Sequence, residues 1–149
     1  SLISIQAASA QGAAVGFIGR EATVASPEAA LENGSAEWTY ILPEDSQGTL
    51  VTVKDANGRT IASFEGEATA GSHTFAWDGE DQTGNAMEDG IYTLEISAVN
   101  ADGNAMQPDI LTTARVTGVD FSGSEVVVEL NGLFVRLSSV RSLREAGAV

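Results

Sequence analysis

The densest run of chemistry-bearing side chains is Trp77-Asp78-Gly79-Glu80-Asp81-Gln82-Thr83-Gly84-Asn85, which leads on to Asp89-Gly90-Ile91-Tyr92. Oxygen side chains at alternate positions around glycine are what a calcium loop needs. The spacing is D-x-[DN]-x-[DN]-G, closed by a glutamate further on. Counted from Asp78, the third position is Glu80, the fifth Gln82 and the sixth Thr83. Counted from Asp81, the sixth is Ala86. Neither frame closes, so no metal is expected here and folding should not require calcium. The stretch reads instead as a turn: Trp77 anchors the end of a strand, Asp78 caps backbone amides, and Gly79 and Gly90 take turn conformations. Asn100 to Asn104 also alternates oxygen side chains but lacks the closing glutamate, and reads as a hairpin turn.

Other catalytic constellations are missing. The chain has no cysteine, which excludes thiol nucleophiles, thiolate metal sites and disulfides. His73 is the single histidine, so two-histidine chemistry and His-rich zinc sites are excluded too. It shares a strand face with Phe75 and Trp77 and reads as a half-buried side chain. The 21 carboxylates must place some pair at glycosidase separation, but none sits in an apolar setting that would raise its pKa. No G-x-S-x-G, P-loop or H-E-x-x-H occurs. The sequence therefore predicts a non-enzyme without a cofactor.

The elements that must position these residues are strands. Trp38, Tyr40 and Leu42 alternate with Glu37, Thr39 and Ile41. Val51 and Val53, Phe75 and Trp77, and Tyr92, Leu94, Ile96 and Ala98 do the same in their own runs. A period of two turns one set inward and the other to water. Asp55-Ala56-Asn57-Gly58 and Asn131-Gly132 carry hairpin turn chemistry, the latter joining Glu125–Leu130 to Phe134–Val140. Glu21–Ala25 is one further strand. Ser142–Val149 reads as a brief turn or a frayed end. Ser1 to Ala14 lacks the basic start of a signal peptide and reads as a short helix or a frayed terminus, with Leu2 and Ile5 on one apolar stripe.

Composition bounds the class. The chain has 149 residues, 43% of them apolar, enough for a core and too many for a disordered acidic tail. A net charge of −14 disfavours nucleic acid and anionic membranes. No apolar run reaches the ~18 residues that a membrane-spanning helix needs. The two flanks, Ile18–Leu31 and Ile110–Val140, hold too few strands to close alone. The pattern predicts one complete sandwich inserted into a second unit made from both flanks, with the crossover near Ser35 and Asp109.

Trp77, Asp78, Gly79, Asp81, Gly84, Gly90 and Tyr92 fill the W-D-G-x-D-x-x-G … G-x-Y signature of the immunoglobulin/fibronectin-like domain of flagellar hook-capping proteins, and the chain resembles that family. The segments Val53–Ile61 and Gly71–Trp77 resemble its V-x-D-x-x-G-x-x-V hairpin and its G-x-H-x-x-x-W approach. Val15–Ala22 resembles its L-[VI]-G-[KR]-x-[VA] stretch, with Arg20 in place of the commoner lysine. Ala114–Asp120 and Val135–Val140 resemble its closing strands.

The resemblance covers nearly the whole chain and implies an all-β fold. A fibronectin type III/immunoglobulin-like sandwich, residues 35–109, would be inserted into a small Tudor-like β-barrel, residues 15–34 plus 110–145, after a short N-terminal helix or linker over 1–14. It implies the C-terminal part of a longer protein, exported through the flagellar type III apparatus to act outside the cell at the hook tip, transiently. There it would be a scaffold that caps the growing hook and promotes subunit assembly. Its partners would be hook subunits and other copies of itself, with no nucleic acid and no membrane insertion. The alternative reading is a carbohydrate- or surface-binding module of a secreted protein. Mutual repulsion at −14 predicts a monomeric chain, with assembly contacts placed on Leu2, Ile5 and the segment before them.

Overall fold

A computed structural model describes residues 14–145 of the chain. The chain forms two compact units: Ala25–Thr112, continuous in sequence, and a discontinuous one from Ser1–Val24 and Thr113–Val149. The strands, in chain order, are β1 (Glu21–Ala25), β2 (Glu28–Leu31), β3 (Ala36–Leu42), β4 (Gly48–Lys54), β5 (Thr60–Glu65) and β6 (Gly71–Trp77). They continue as β7 (Gly90–Val99), β8 (Asp109–Arg115), β9 (Gly118–Asp120), β10 (Val127–Leu130), β11 (Leu133–Arg136) and β12 (Val140–Arg144). The fold is all-β. Leu2, Ile5 and all of the expected N-terminal helix except Ala14 lie outside the described residues.

In the continuous unit, one sheet has the order β2-β7-β4-β5. Opposite it, β3 is flanked by β6 and by the start of β8, with Trp38 opposite Phe75 on one side and Thr112 on the other. Alternation does the sorting. Trp38, Tyr40, Leu42, Val51, Val53, Trp77 and Leu94 are almost fully buried, and the residues between them are exposed or half-exposed. Each large polar aromatic hands its polar atom to a main-chain oxygen. The indole nitrogens of Trp38 and Trp77 donate to the carbonyls of Pro27 and Glu80, both at 2.9 Å, and the Tyr92 hydroxyl donates to that of Glu88 at 2.7 Å. The rings fill the sandwich while their own buried donors are matched.

In the discontinuous unit, β1 runs antiparallel to β12, pairing Ala22 with Leu143 and Val24 with Val140. Three short strands form a sheet in the order β11-β10-β9, with Val128, Leu130, Leu133 and Val135 facing inward. Asn131 and Gly132, at φ 54° and 94°, make the β10–β11 turn that the Asn-Gly pair announces.

Three expectations need correction. The chain passes between units at Val24/Ala25, ten residues before the expected Ser35, and at Thr112/Thr113, within a few residues of Asp109. The reason is β2, which pairs with β7 from Glu28↔Thr93 to Leu31↔Gly90 and so belongs to the sandwich. Second, the Asn100 turn does not make a full hairpin. After it the chain returns only through the single bridge Val99↔Ala105, then crosses to pair with β3. Third, Ser142–Arg144, the start of the segment expected to turn or fray, completes strand β12 (Val140–Arg144), because β1 offers it a ladder; residues 146–149 lie outside the described residues.

Candidate functional site

The signature residues lie at one end of the sandwich and hold a loop in place. Trp77 ends β6 and packs edge-on against Tyr92, with ring centroids 4.9 Å apart, and against Trp38 at 6.4 Å. Asp78 caps the turn by accepting from the Glu80 amide at 3.1 Å. Gly79 sits at φ 76°, where a Cβ would stand 3.1 Å from Leu31. Gly90, at φ 159°, lies at the extended edge of the range and is far less restrictive than expected. It starts β7 opposite Leu31.

Asp81 organises the loop tip. Its Oδ1 accepts from the amides of Thr83 and Asn85 and from the Thr83 hydroxyl, all at 2.9 Å. Its Oδ2 accepts from the Asn85 side chain at 3.3 Å. The same device occurs twice more: Asp55 Oδ1 takes the amides of Asn57 and Arg59, and Asn100 Oδ1 those of Asp102 and Asn104. Each time the fourth residue is a glycine at φ 82° to 89°: Gly58, Gly84 and Gly103. Asx-x-x-Gly at 55, 81 and 100 is therefore one loop used three times. The sequence carried that signal, although only two of the three instances were read as turns of one kind.

These carboxylates face N–H donors, which explains their chemistry. The Asn85 amide and then the Thr83 hydroxyl hold the Asp81 carboxyl down to about 2 from its usual 3.8. The Arg59 amide lowers Asp55 in the same sense, and the Ser122 hydroxyl lowers Asp120. A carboxyl depressed in the folded state lends stability above its unfolded pKa and loses it as pH falls through the folded value. The melting-temperature gap between the wild type and Asp81→Ala should thus be widest at neutral pH and shrink between pH 4 and 2. A gap independent of pH would show that Asp81 acts through packing alone.

Gln82 does something the sequence did not announce. Its side-chain oxygen accepts from the Ser63 amide at 2.7 Å, and its own amide donates to the Ile61 carbonyl at 3.2 Å. Ile61 and Ser63 lie on β5, an edge of the four-stranded sheet. The signature loop thereby blocks that edge against pairing with another chain. His73 Nε2 lies 2.6 Å from the Thr69 carbonyl, and its ring packs on Tyr40 at 5.4 Å. Among the described residues no three His, Asp or Glu side chains gather as metal ligands.

Surface chemistry is unevenly divided. The continuous unit carries 16 acidic residues and only two basic ones, Lys54 and Arg59. The discontinuous unit carries five of each, so the whole net charge of −14 lies on the sandwich. Exposed large apolar side chains go the other way. Val15, Ile18, Phe121 and Phe134 lie in the discontinuous unit, and Leu50 alone in the sandwich.

The geometry defines an all-β protein with an immunoglobulin-like sandwich whose loop carboxylates serve its own turns. The particular family follows from comparison. A family model described as the FlgD Ig-like domain matches residues 26–102, and the chain belongs to the FlgD family. That family is structural, not enzymatic, and flagellar. The chain is 35% identical over 79 residues to the basal-body rod modification protein FlgD of Salmonella typhimurium, and equally so to that of Escherichia coli. It spans about a third, 34%, of the length of these relatives. Among solved structures, FlgD from Xanthomonas campestris, described in connection with hook capping essential for flagellar assembly, is 26% identical with a TM-score of 0.72. The match covers 84% of this chain and 92% of that one. FlgD from P. aeruginosa is 29% identical, also at 0.72, over 84% of this chain and 96% of that one.

Proposed function

We propose that this chain is a folded part of a scaffold that caps the growing flagellar hook and promotes the addition of hook subunits. The observation that carries the reading is the likeness to the X. campestris protein, which extends over 84% of the chain and so takes in both units. A lone accessory sandwich would need no discontinuous unit. On this reading the protein is exported through the flagellar apparatus, works outside the cell at the hook tip and is later displaced. It touches hook subunits and other copies of itself. Many weak contacts suit that task, since linked sites hold together while each can still exchange. The discontinuous unit takes the role of the Tudor-like barrel.

Deleting the coding region for residues 14–145 in the bacterium that carries it tests the proposal. Basal bodies should remain, hooks should be absent by electron microscopy, and hook subunits should appear unassembled in the medium. Normal hooks in the deletion strain would overturn the assignment.

A further inference from the structure

The sandwich leaves a sheet edge open. An edge strand presents the N–H and C=O of every second residue to whatever lies beside it. On β5 the Gln82 side chain covers that row at Ser63. β6 is also the last strand of its sheet, paired with β3 from Ala36↔Trp77 to Leu42↔Gly71 without a bulge. Among the described residues no hydrogen bond other than this ladder reaches the main chain of residues 72–76. Edges are commonly blunted by lysine, proline or a bulge, and β6, Gly-Ser-His-Thr-Phe-Ala-Trp, has none of them. Beside the open edge lies an apolar void. Phe64 on β5 and Phe75 on β6 meet with ring centroids 5.2 Å apart. With Ala76, Trp77 and Asp78 they line a half-open cavity of about 160 Å³. An apolar cavity of about 150 Å³ is enough to hold a benzene ring.

We propose that the β6 edge is a docking site for an extended peptide that alternates apolar and basic residues and joins β6 as an added strand. This site goes beyond the hook assignment and does not depend on it. Side chains of an added strand point alternately to the two faces of the sheet. One set falls over the cavity, where an aromatic or branched aliphatic side chain fits beside Phe64 and Phe75. The other set falls beside Ser72, Thr74 and Ala76, which are exposed and uncharged. Charge selects the occupant. Glu37 stands opposite Ala76 on that outer face, and the exposed Asp78 and Glu80 follow Trp77 in the chain. The two basic residues of the sandwich are engaged elsewhere: Lys54 lies 2.8 Å from Glu95 and Arg59 3.2 Å from Asp55. A basic strand therefore meets carboxylates that have no ion pair of their own. A second copy of this edge would bring the same carboxylates against each other. Residues 1–13 of the chain contain no Lys or Arg to answer them.

The probe is a fluorescently labelled peptide, Lys-Val-Lys-Phe-Lys-Val-Lys with blocked ends, titrated with residues 1–149 and read by anisotropy. It should bind one to one, at least fivefold more weakly in 0.5 M than in 0.05 M salt. Peptides with glycine in place of the apolar residues, or glutamate in place of the lysines, should not bind. N-methylating one alternate set of peptide amides should abolish binding. Methylating the other set should change it less than twofold, because only one edge of an added strand faces β6. Ala76→Lys should weaken binding at least fivefold at an unchanged melting temperature, since Ala76 is exposed. Leu50→Lys, exposed on the other sheet, should change binding less than twofold. Amide hydrogen exchange within residues 72–76 should slow when the peptide is bound. The proposal is overturned by an absence of saturable binding up to 1 mM chain, by equal effects of the two methylated peptides, or by equal losses from Ala76→Lys and Leu50→Lys. Unchanged exchange within residues 72–76 would overturn it too. Binding at least tenfold tighter once residues 1–13 are removed would assign the edge to the start of the chain itself. Dimers of the free chain that the peptide dissolves would assign it to a second copy, and either result sinks the proposal.

Discussion

Trp77→Ala will lower the stability of the sandwich by about 3–5 kcal/mol, the usual range for truncating a buried large aromatic. Trp77 is 2% exposed, lies against Trp38 and Tyr92, and its indole nitrogen holds the Glu80 carbonyl. Truncation opens a void between the sheets and frees the carbonyl that fixes the start of the signature loop. A domain of this size has only about 5–15 kcal/mol in total, so the variant sits close to unfolding at 37 °C. Trp77→Phe separates the two effects. It keeps much of the ring but removes the donor, and should lose about 1–2 kcal/mol. Urea denaturation followed by circular dichroism reads both variants. A midpoint for Trp77→Ala within error of the wild type would mean that the ring is not part of the core.

The period of two made the sandwich strands legible, because the core sorts side chains by sheet face and nothing else. Asx-Gly punctuation did the same for the turns, since backbone amides and positive φ demand those residue types locally. What stayed hidden depends on partners remote in sequence. Glu28–Leu31 is too short and alanine-rich to show which unit owns it, and only the ladder with β7 decides. Ser142–Arg144 looked like part of a frayed end because its strand character comes from β1, more than a hundred residues earlier. The exposure of Phe134 was illegible for the same reason: alternation marks a face but cannot say whether another sheet covers it. Mutual repulsion was inferred from a net charge treated as evenly spread. The division into units confines that charge to the sandwich and leaves the other unit neutral.

Gly66 illustrates a constraint no local rule reveals. It follows β5 in Glu65-Gly66-Glu67, where a glycine reads as an ordinary loop residue. Its amide donates to the Thr49 carbonyl at 2.9 Å, which draws the backbone tightly over β4. A Cβ here would lie 2.7 Å from Val51 Cγ2, 2.9 Å from the Tyr40 hydroxyl oxygen and 3.0 Å from Thr49 Cγ2. Val51 is fully buried and cannot swing away. The Tyr40 hydroxyl is itself held, accepting from the Glu67 amide at 2.7 Å and donating to the Glu67 carbonyl at 3.3 Å. Burial pushes its pKa up, so it stays a neutral donor at working pH. Gly66→Ala must therefore displace either a core methyl group or this clasp. Overpacking of that kind costs about 1–3 kcal/mol, and a broken Tyr40 bond adds about 1 kcal/mol, so a loss of about 2–4 kcal/mol is expected. Tyr40→Phe alone should lose about 1 kcal/mol. In the double variant the hydroxyl no longer obstructs the new methyl group, so the combined loss should fall short of the sum of the single ones, as it does for groups in direct contact. Equal urea midpoints for Gly66→Ala and the wild type would show that the backbone relaxes at no cost, and strict additivity would show that Gly66 and the Tyr40 clasp act independently.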